Sequence, residues 1–194
     1  MESWSEYLEK LSAGLEHVTA TASDGKTLAL PDAFRRWLAI THEVQGDGHH
    51  IYIVGNGGSA MIAGHFAADA CKNGRLRALA FNDAALLTAA SNDLGFEEVF
   101  AVPLSQLARA DDLLITISSS GNSPNILRAI EVARAMPMRV VTLSGKGADN
   151  RSRALGDLNF YVPASRYGWV ESAHHVLMHY WLDQYLNIYG AGAV

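Results

Sequence analysis

With 194 residues, 49% of them hydrophobic and 18% charged, the chain has ordinary globular composition and the length of one domain with a sizeable core. The formal net charge of −5, with no block of Lys or Arg, argues against a nucleic-acid groove or an anionic membrane surface as partner. A single cysteine, Cys71, excludes an internal disulfide and a multi-cysteine metal site; it fits a reduced compartment and reads as a packed or incidental thiol.

The first residues, MESWSEYLEKL, are acidic and amphipathic, without the basic and apolar regions of a signal peptide. No apolar run approaches the ~20 residues needed to span a bilayer, so a soluble, cytoplasmic protein is expected. Tyr7, Leu8, Leu11 and Leu15 recur at helical spacing and predict a helix over 5–20. Phe34, Trp37, Leu38 and Ile40 predict a second, from about 31 to 44, ending before Gly46. These helices, within 1–45, belong to the same domain as a core spanning 46–194. A β-branched and aromatic run at 50–54 predicts a strand, followed by Gly55-Asn56-Gly57-Gly58-Ser59 and a helix to about 70. Further strands are expected at 78–81, 113–117, 139–143 and 158–162. Helices are expected at 96–107, after the loop 118–123 to about 135, briefly before 158, and over 168–189. Strands alternating with helices predict an α/β fold with a parallel sheet covered on both faces. The loops at 55–59 and 118–123 then leave the carboxyl edge, where open α/β sheets bind ligands.

Both loops have the chemistry of a phosphate cradle. In IVGNGGSA, glycines let backbone N–H groups approach a ligand, the following helix offers unpaired donors, and Ser59 adds a hydroxyl. The loop is not a Walker sequence, which needs a Lys, nor the dinucleotide fingerprint, whose glycine spacing differs. In ISSSGNSP, four serines cluster at a helix start and Pro124 suits a first-turn position. One serine would be a cap. Four beside the glycine loop make a neutral hydroxyl cradle that holds a phosphomonoester reversibly, without an Arg clamp.

Histidines and carboxylates are unevenly placed. His65 and Asp69 are four apart after the glycine loop, and Glu171, His175 and His179 are spaced by four on the closing helix, with His174 adjacent. His/carboxylate pairs at that spacing can offer a metal two ligands. His17, His42, His49 and His50 read as surface or packing residues. Eight residues of helix span about 12 Å, so Glu171 and His179 share an ion only at full stretch, with Glu171 in a non-helical first turn, or across two subunits. His175–His179 is the simpler local chelate.

GNGGSA at 55–60, SND at 91–93 and ISSSGNS at 117–123, in this order and spacing, resemble the sugar isomerase (SIS) family over nearly the whole chain, most closely its sedoheptulose 7-phosphate (phosphoheptose) isomerases. The resemblance implies a single flavodoxin-like domain whose N-terminal helices serve assembly, and a homotetramer with active sites between subunits. It implies phosphate contacts from Ser59, Ser118, Ser119, Ser120 and Ser123. Asn56 and Asp93 would contact the sugar, with Gly57, Gly58 and Asn92 counted in the same substrate site. It implies a divalent ion, zinc in some members, at His65, Asp69, Glu171 and His179, and no organic cofactor. It favours His174 as a recurring histidine and His179 as the ligand, with His175 competing.

The activity implied is aldose–ketose isomerisation through an enediol, converting sedoheptulose 7-phosphate to D-glycero-D-manno-heptose 7-phosphate. Asp69 is the base and His179 the acid. Four positions depart from the family pattern: Asp69 for the usual Glu, Glu171 for Gln, Ser172 for Glu, and Gly168 near an expected Asp. Two other readings stand beside it: an isomerase of another sugar phosphate, and a non-catalytic binding protein of the kind that associates with the bacterial replication initiator.

Overall fold

The computed structural model describes residues 1–190; the last four residues of the expected 46–194 core lie outside the described residues. A seven-stranded sheet runs in the order β2-β1-β7-β6-β5-β3-β4. Five of these are parallel: β3 (Ile51–Gly55), β4 (Ala78–Ala80), β5 (Leu113–Ser118), β6 (Arg139–Gly145) and β7 (Leu158–Val162). Taken alone, these five follow the flavodoxin-like 2-1-3-4-5 order. Along β3, Ile51 and Ile53 enter one core and Tyr52 and Val54 the other, so the sheet buries both faces.

The parallel sheet is extended at one edge by two antiparallel strands. The first helix, α1 (Trp4–Glu16), stops short of the expected 20, and the chain turns into β1 (Thr19–Ala22) and β2 (Thr27–Leu28). β1 runs antiparallel to β7, pairing Thr19 with Tyr161 and Ala22 with Leu158. The physical reason is alternation: Ala20 and Ala22 are buried while Thr19 is exposed, a period of two that a helix cannot satisfy.

Helix α2 (Leu30–Gly46) packs Trp37 against Trp181 of α7 (Tyr167–Tyr189), with ring centroids 5.0 Å apart and both rings fully buried. Thr41 joins the pair. Its hydroxyl accepts from Trp181 Nε1 at 3.0 Å and donates to the Trp37 carbonyl at 2.9 Å. This cluster holds α7 against the sheet and so fixes the helix that carries half of the site.

On that same face α3 (Gly58–Lys72) follows β3, and on the other face α6 (Pro124–Ala135) follows β5. A helix the sequence reading did not anticipate, α4 (Ala84–Leu94), begins at Asp83, whose carboxylate accepts from Leu86 N–H at 2.9 Å. The single helix expected over 96–107 is two pieces, a 3₁₀ turn at Phe96–Glu98 and α5 (Ala101–Leu107). Cys71 is exposed on α3. Among the described residues, no helix is long and apolar enough to cross a membrane.

Candidate active site

β3 and β5 are neighbours, with Gly55 in register with Ile117. Their following loops therefore leave the sheet side by side, at the point where strand order reverses. Gly57 turns the first loop with φ of +53°, a conformation that costs a glycine little, and α3 starts at the next residue. The second loop turns on Ser118, whose Oγ accepts from Gly121 N–H at 3.2 Å. Asn56 and Asn125 join the loops: each side-chain amide donates to the other's oxygen, at 2.9 and 2.8 Å. Asn125 is almost fully buried, one residue past the serine motif, and the sequence reading did not single it out.

Between the loops lies a cavity of about 130 Å³ lined by Asn56, Ser59, Ser118, Ser119, Ser120 and Ser123, with Tyr167 and Glu171 of α7 opposite. Ser123 is the N-cap of α6, yet its side chain makes no capping bond. Ser119 Oγ is buried with no hydrogen-bond partner among the described residues. A buried hydroxyl without a partner is costly and marks a place where a ligand oxygen fits. No Lys, Arg or His lines the cavity: the serine hydroxyls are uncharged, and the carboxylate of Glu171 is the charged group opposite them. Lys146 Nζ lies 3.8 Å over the ring of Tyr167, one of the lining residues.

Deeper along the same two helices is a second group. α3 and α7 run side by side in the same direction. α3 carries Ser59 in the cradle and His65 two turns on; α7 carries Glu171 in the cradle and His175 and His179 beyond it. One ligand-capable atom from each of His65, His175 and His179 lies within 4.8 Å of the others. The buried Phe66 ring backs them, with its centroid 5.4 Å from His175 and 4.7 Å from His179. Asp69 Oδ2 is 3.4 Å from His65 Nε2. Burial, and then the neighbouring His179 and His65, hold the His175 pKa below the usual imidazole range. A neutral imidazole is the form that ligates a metal, so the donor set suits a divalent ion.

The sequence-derived residues thus separate into groups. The serines, Asn56 and Glu171 line one cavity, while His65, Asp69 and His179 gather with His175. Gly57 and Gly58 form the turn between β3 and α3. Glu171 is not in the histidine group, and α7 is already regular helix four residues before it, so the non-helical first turn is ruled out. Its carboxylate instead closes on Gly58: a Cβ placed there would lie 2.6 Å from Glu171 Oε2. Asn92 and Asp93 are exposed on the last turn of α4, bonded to each other at 2.8 Å, and do not line the serine cavity.

His174 is structural. It is fully buried, its Nε2–H donates to the Ser144 carbonyl at 3.1 Å, and burial pushes its pKa down to about 4, against the smaller opposing effect of that bond. His42 stacks on Tyr189 at 4.0 Å and His17 bonds the Ala13 carbonyl at 2.8 Å. His49 lies 3.3 Å from Asp112, whose carboxylate also accepts the His50 N–H.

Comparison with known proteins gives one consistent result. The family model described as "SIS domain" matches residues 6–145. The phosphoheptose isomerase of Bordetella avium (strain 197N) is 39% identical over 139 residues, which is 66% of this chain and 70% of that protein. A phosphoheptose isomerase of Helicobacter pylori (strain ATCC 700392 / 26695) is 35% identical over 160 residues, 79% of this chain and 83% of its own. The solved phosphoheptose isomerase of Neisseria gonorrhoeae superposes with a TM-score of 0.80 at 31% identity, covering 93% of this chain and 96% of that one. That of Francisella tularensis gives 0.82 at 28% identity, covering 96% and 100%.

Proposed function

The chain belongs to the SIS domain family, and from that membership we propose that it is a phosphosugar isomerase converting sedoheptulose 7-phosphate to D-glycero-D-manno-heptose 7-phosphate. One observation carries the reading: a serine cradle and a His/Asp cluster stand on the same two helices, so a single ligand can reach both. Ser59 and His65 are six residues apart on α3, about 9 Å along the helix. A phosphate in the cradle then delivers the far end of a six- or seven-carbon chain to the cluster, and leaves a triose short of it. The names of the relatives, phosphoheptose isomerases at 35–39% identity, support the heptose.

In this reading the serine hydroxyls and the start of α6 hold the phosphate, and Asn56 orients the adjoining hydroxyls. Asp69 takes the proton from the carbon beside the carbonyl and returns it to the neighbouring carbon. With no ion bound, His179 donates a proton to the carbonyl oxygen and takes one back from the adjoining hydroxyl, which becomes the new carbonyl. What a divalent ion such as zinc supplies at this cluster, when bound, is polarisation of the same oxygen. Phe66 shields the floor of the cluster from water and keeps the imidazoles facing the substrate. We also propose assembly as a homotetramer with sites between subunits, supported by exposed Trp4 and Leu8 on α1 and Tyr180 and Ile188 on α7; light scattering on the purified protein measures it.

The test is incubation with sedoheptulose 7-phosphate and a panel of five- to seven-carbon sugar phosphates, with and without added zinc, followed by NMR. The reading expects aldose to appear from the heptulose in preference to the shorter sugars. No interconversion of any of them overturns it.

A further inference from the structure

We propose that the divalent-ion centre of this chain is formed by His65, His175 and His179, and that Glu171 stands outside it, committed to the phosphate end of the site. The inference rests on the isomerase reading for its purpose, but its geometry is independent of substrate.

Helix geometry is the first ground. Zinc bonds of ~2.0–2.1 Å put two ligand atoms of one ion no more than roughly 4 Å apart. Within one chain, Glu171 and His179 are both in the regular span of α7, separated by about 12 Å of axis, and a Glu171 supplied by a second subunit is the alternative that the Glu171→Gln variant tests. His175 and His179 are one turn apart, about 6 Å along the axis, with ring centroids 4.8 Å from each other. His65 reaches across from α3 to both, at 5.5 and 5.6 Å between centroids. Small imidazole rotations bring the three donors, already within 4.8 Å of one another, onto one ion.

The direction of Glu171 is the second ground. Its carboxylate closes on Gly58, where α3 begins, and lines the serine cavity. The N-terminus of a helix favours a negative group, so the carboxylate is held at that end of the site and away from the histidines. A side chain at position 58 would push the Glu171 carboxylate out of this place.

Chemistry is the third. Three histidines with an open fourth position form a catalytic ligand set. They leave Asp69, 3.4 Å from His65, free to move protons. A carboxylate bound tightly to an ion is a poor base, and a centre built on His65, Asp69, Glu171 and His179 would make the proposed base a ligand. With the ion in place His179 is committed as a ligand, and Asp69 carries the proton.

The experiment is zinc titration calorimetry, with the visible spectrum of the cobalt-substituted protein, on wild type, His65→Gln, His175→Gln, His175→Ala and Glu171→Gln, all without substrate. Circular dichroism melting of each variant confirms that it is folded. The expected result is one ion per chain and a loss of more than about tenfold in zinc affinity for His65→Gln and both His175 variants. Glu171→Gln keeps zinc affinity within about twofold and the cobalt spectrum unchanged. The proposal is overturned if Glu171→Gln weakens zinc as His65→Gln does while the His175 variants bind normally, or if wild type binds no zinc. Turnover is assayed separately, so a failure of the ligand assignment is distinct from a failure of the isomerase reading.

Discussion

Asn56 and Asn125 exchange a pair of amide hydrogen bonds, 2.9 and 2.8 Å long, across the gap between the two loops that build the phosphate cradle. Sixty-nine residues of chain separate them. The pair sets the width of the cradle, because each loop hangs from a strand whose own position is fixed by the sheet. Asn125→Ala leaves both the N–H and the oxygen of the Asn56 amide without their partner at a partly buried site. Stability should fall by about 1–3 kcal/mol in urea unfolding, and KM for the sugar phosphate should rise more than kcat falls. An unchanged KM would show that the loops hold their spacing without the pair.

Ser119 behaves differently. Its hydroxyl is buried with no partner among the described residues, so it contributes nothing to the ligand-free fold that alanine would remove. Ser119→Ala should leave the melting temperature unchanged or slightly raised. It should weaken phosphate binding by about tenfold or more, the loss of one hydrogen bond to a charged group. Inorganic phosphate as a competitive inhibitor reads this directly, without turnover.

Much of this cradle was legible in the sequence, because strand, polar loop and helix start are local features. Glycines and serines at 55–59 and 118–123 announce it wherever the rest of the chain goes. The hairpin of β1 and β2 was not legible. Thr19-Ala20-Thr21-Ala22 continues a helical stretch without a breaker, and its strand character comes from pairing with β7, some 140 residues away. Helix α4 was missed for another reason: its start is a lone cap, Asp83, ahead of AALLTAA, a run with no polar face to mark a helical period. At the cluster, spacing nominated both Glu171 and His175. Only the packing of α3 against α7 brings His65 beside His175 and His179 and directs Glu171 to Gly58.

The buried His174 makes stability depend on pH. Its pKa is near 4 in the folded protein and about 6.5 when unfolded. Between those values the unfolded chain binds the extra proton, so stability rises with pH through that window. The full contribution is present above pH 6.5 and is lost as pH falls toward 4, to a total of about 3 kcal/mol. Urea unfolding at pH 7 and pH 5 should show the loss in wild type and a smaller one in His174→Gln. Equal losses would assign the acid sensitivity to other groups.

Thr41 should matter more than its size suggests, since it joins Trp37 to Trp181 beneath α7. Thr41→Val keeps the shape and strands the Trp181 N–H in the core. The expected cost is about 1–3 kcal/mol, visible as a lower melting temperature. If α7 shifts as a result, zinc affinity falls with it, because His175 and His179 ride on the same helix.

The central claim is that this cradle and cluster carry out isomerisation with Asp69 as the base. Incubation with sedoheptulose 7-phosphate in D₂O, followed by NMR, tests it most directly. Wild type should form the aldose with solvent deuterium at the carbon beside the carbonyl. Asp69→Asn should form it more slowly by roughly 10²- to 10⁴-fold while still binding inorganic phosphate. Absence of aldose with wild type, or a wild-type rate from Asp69→Asn, would contradict the account.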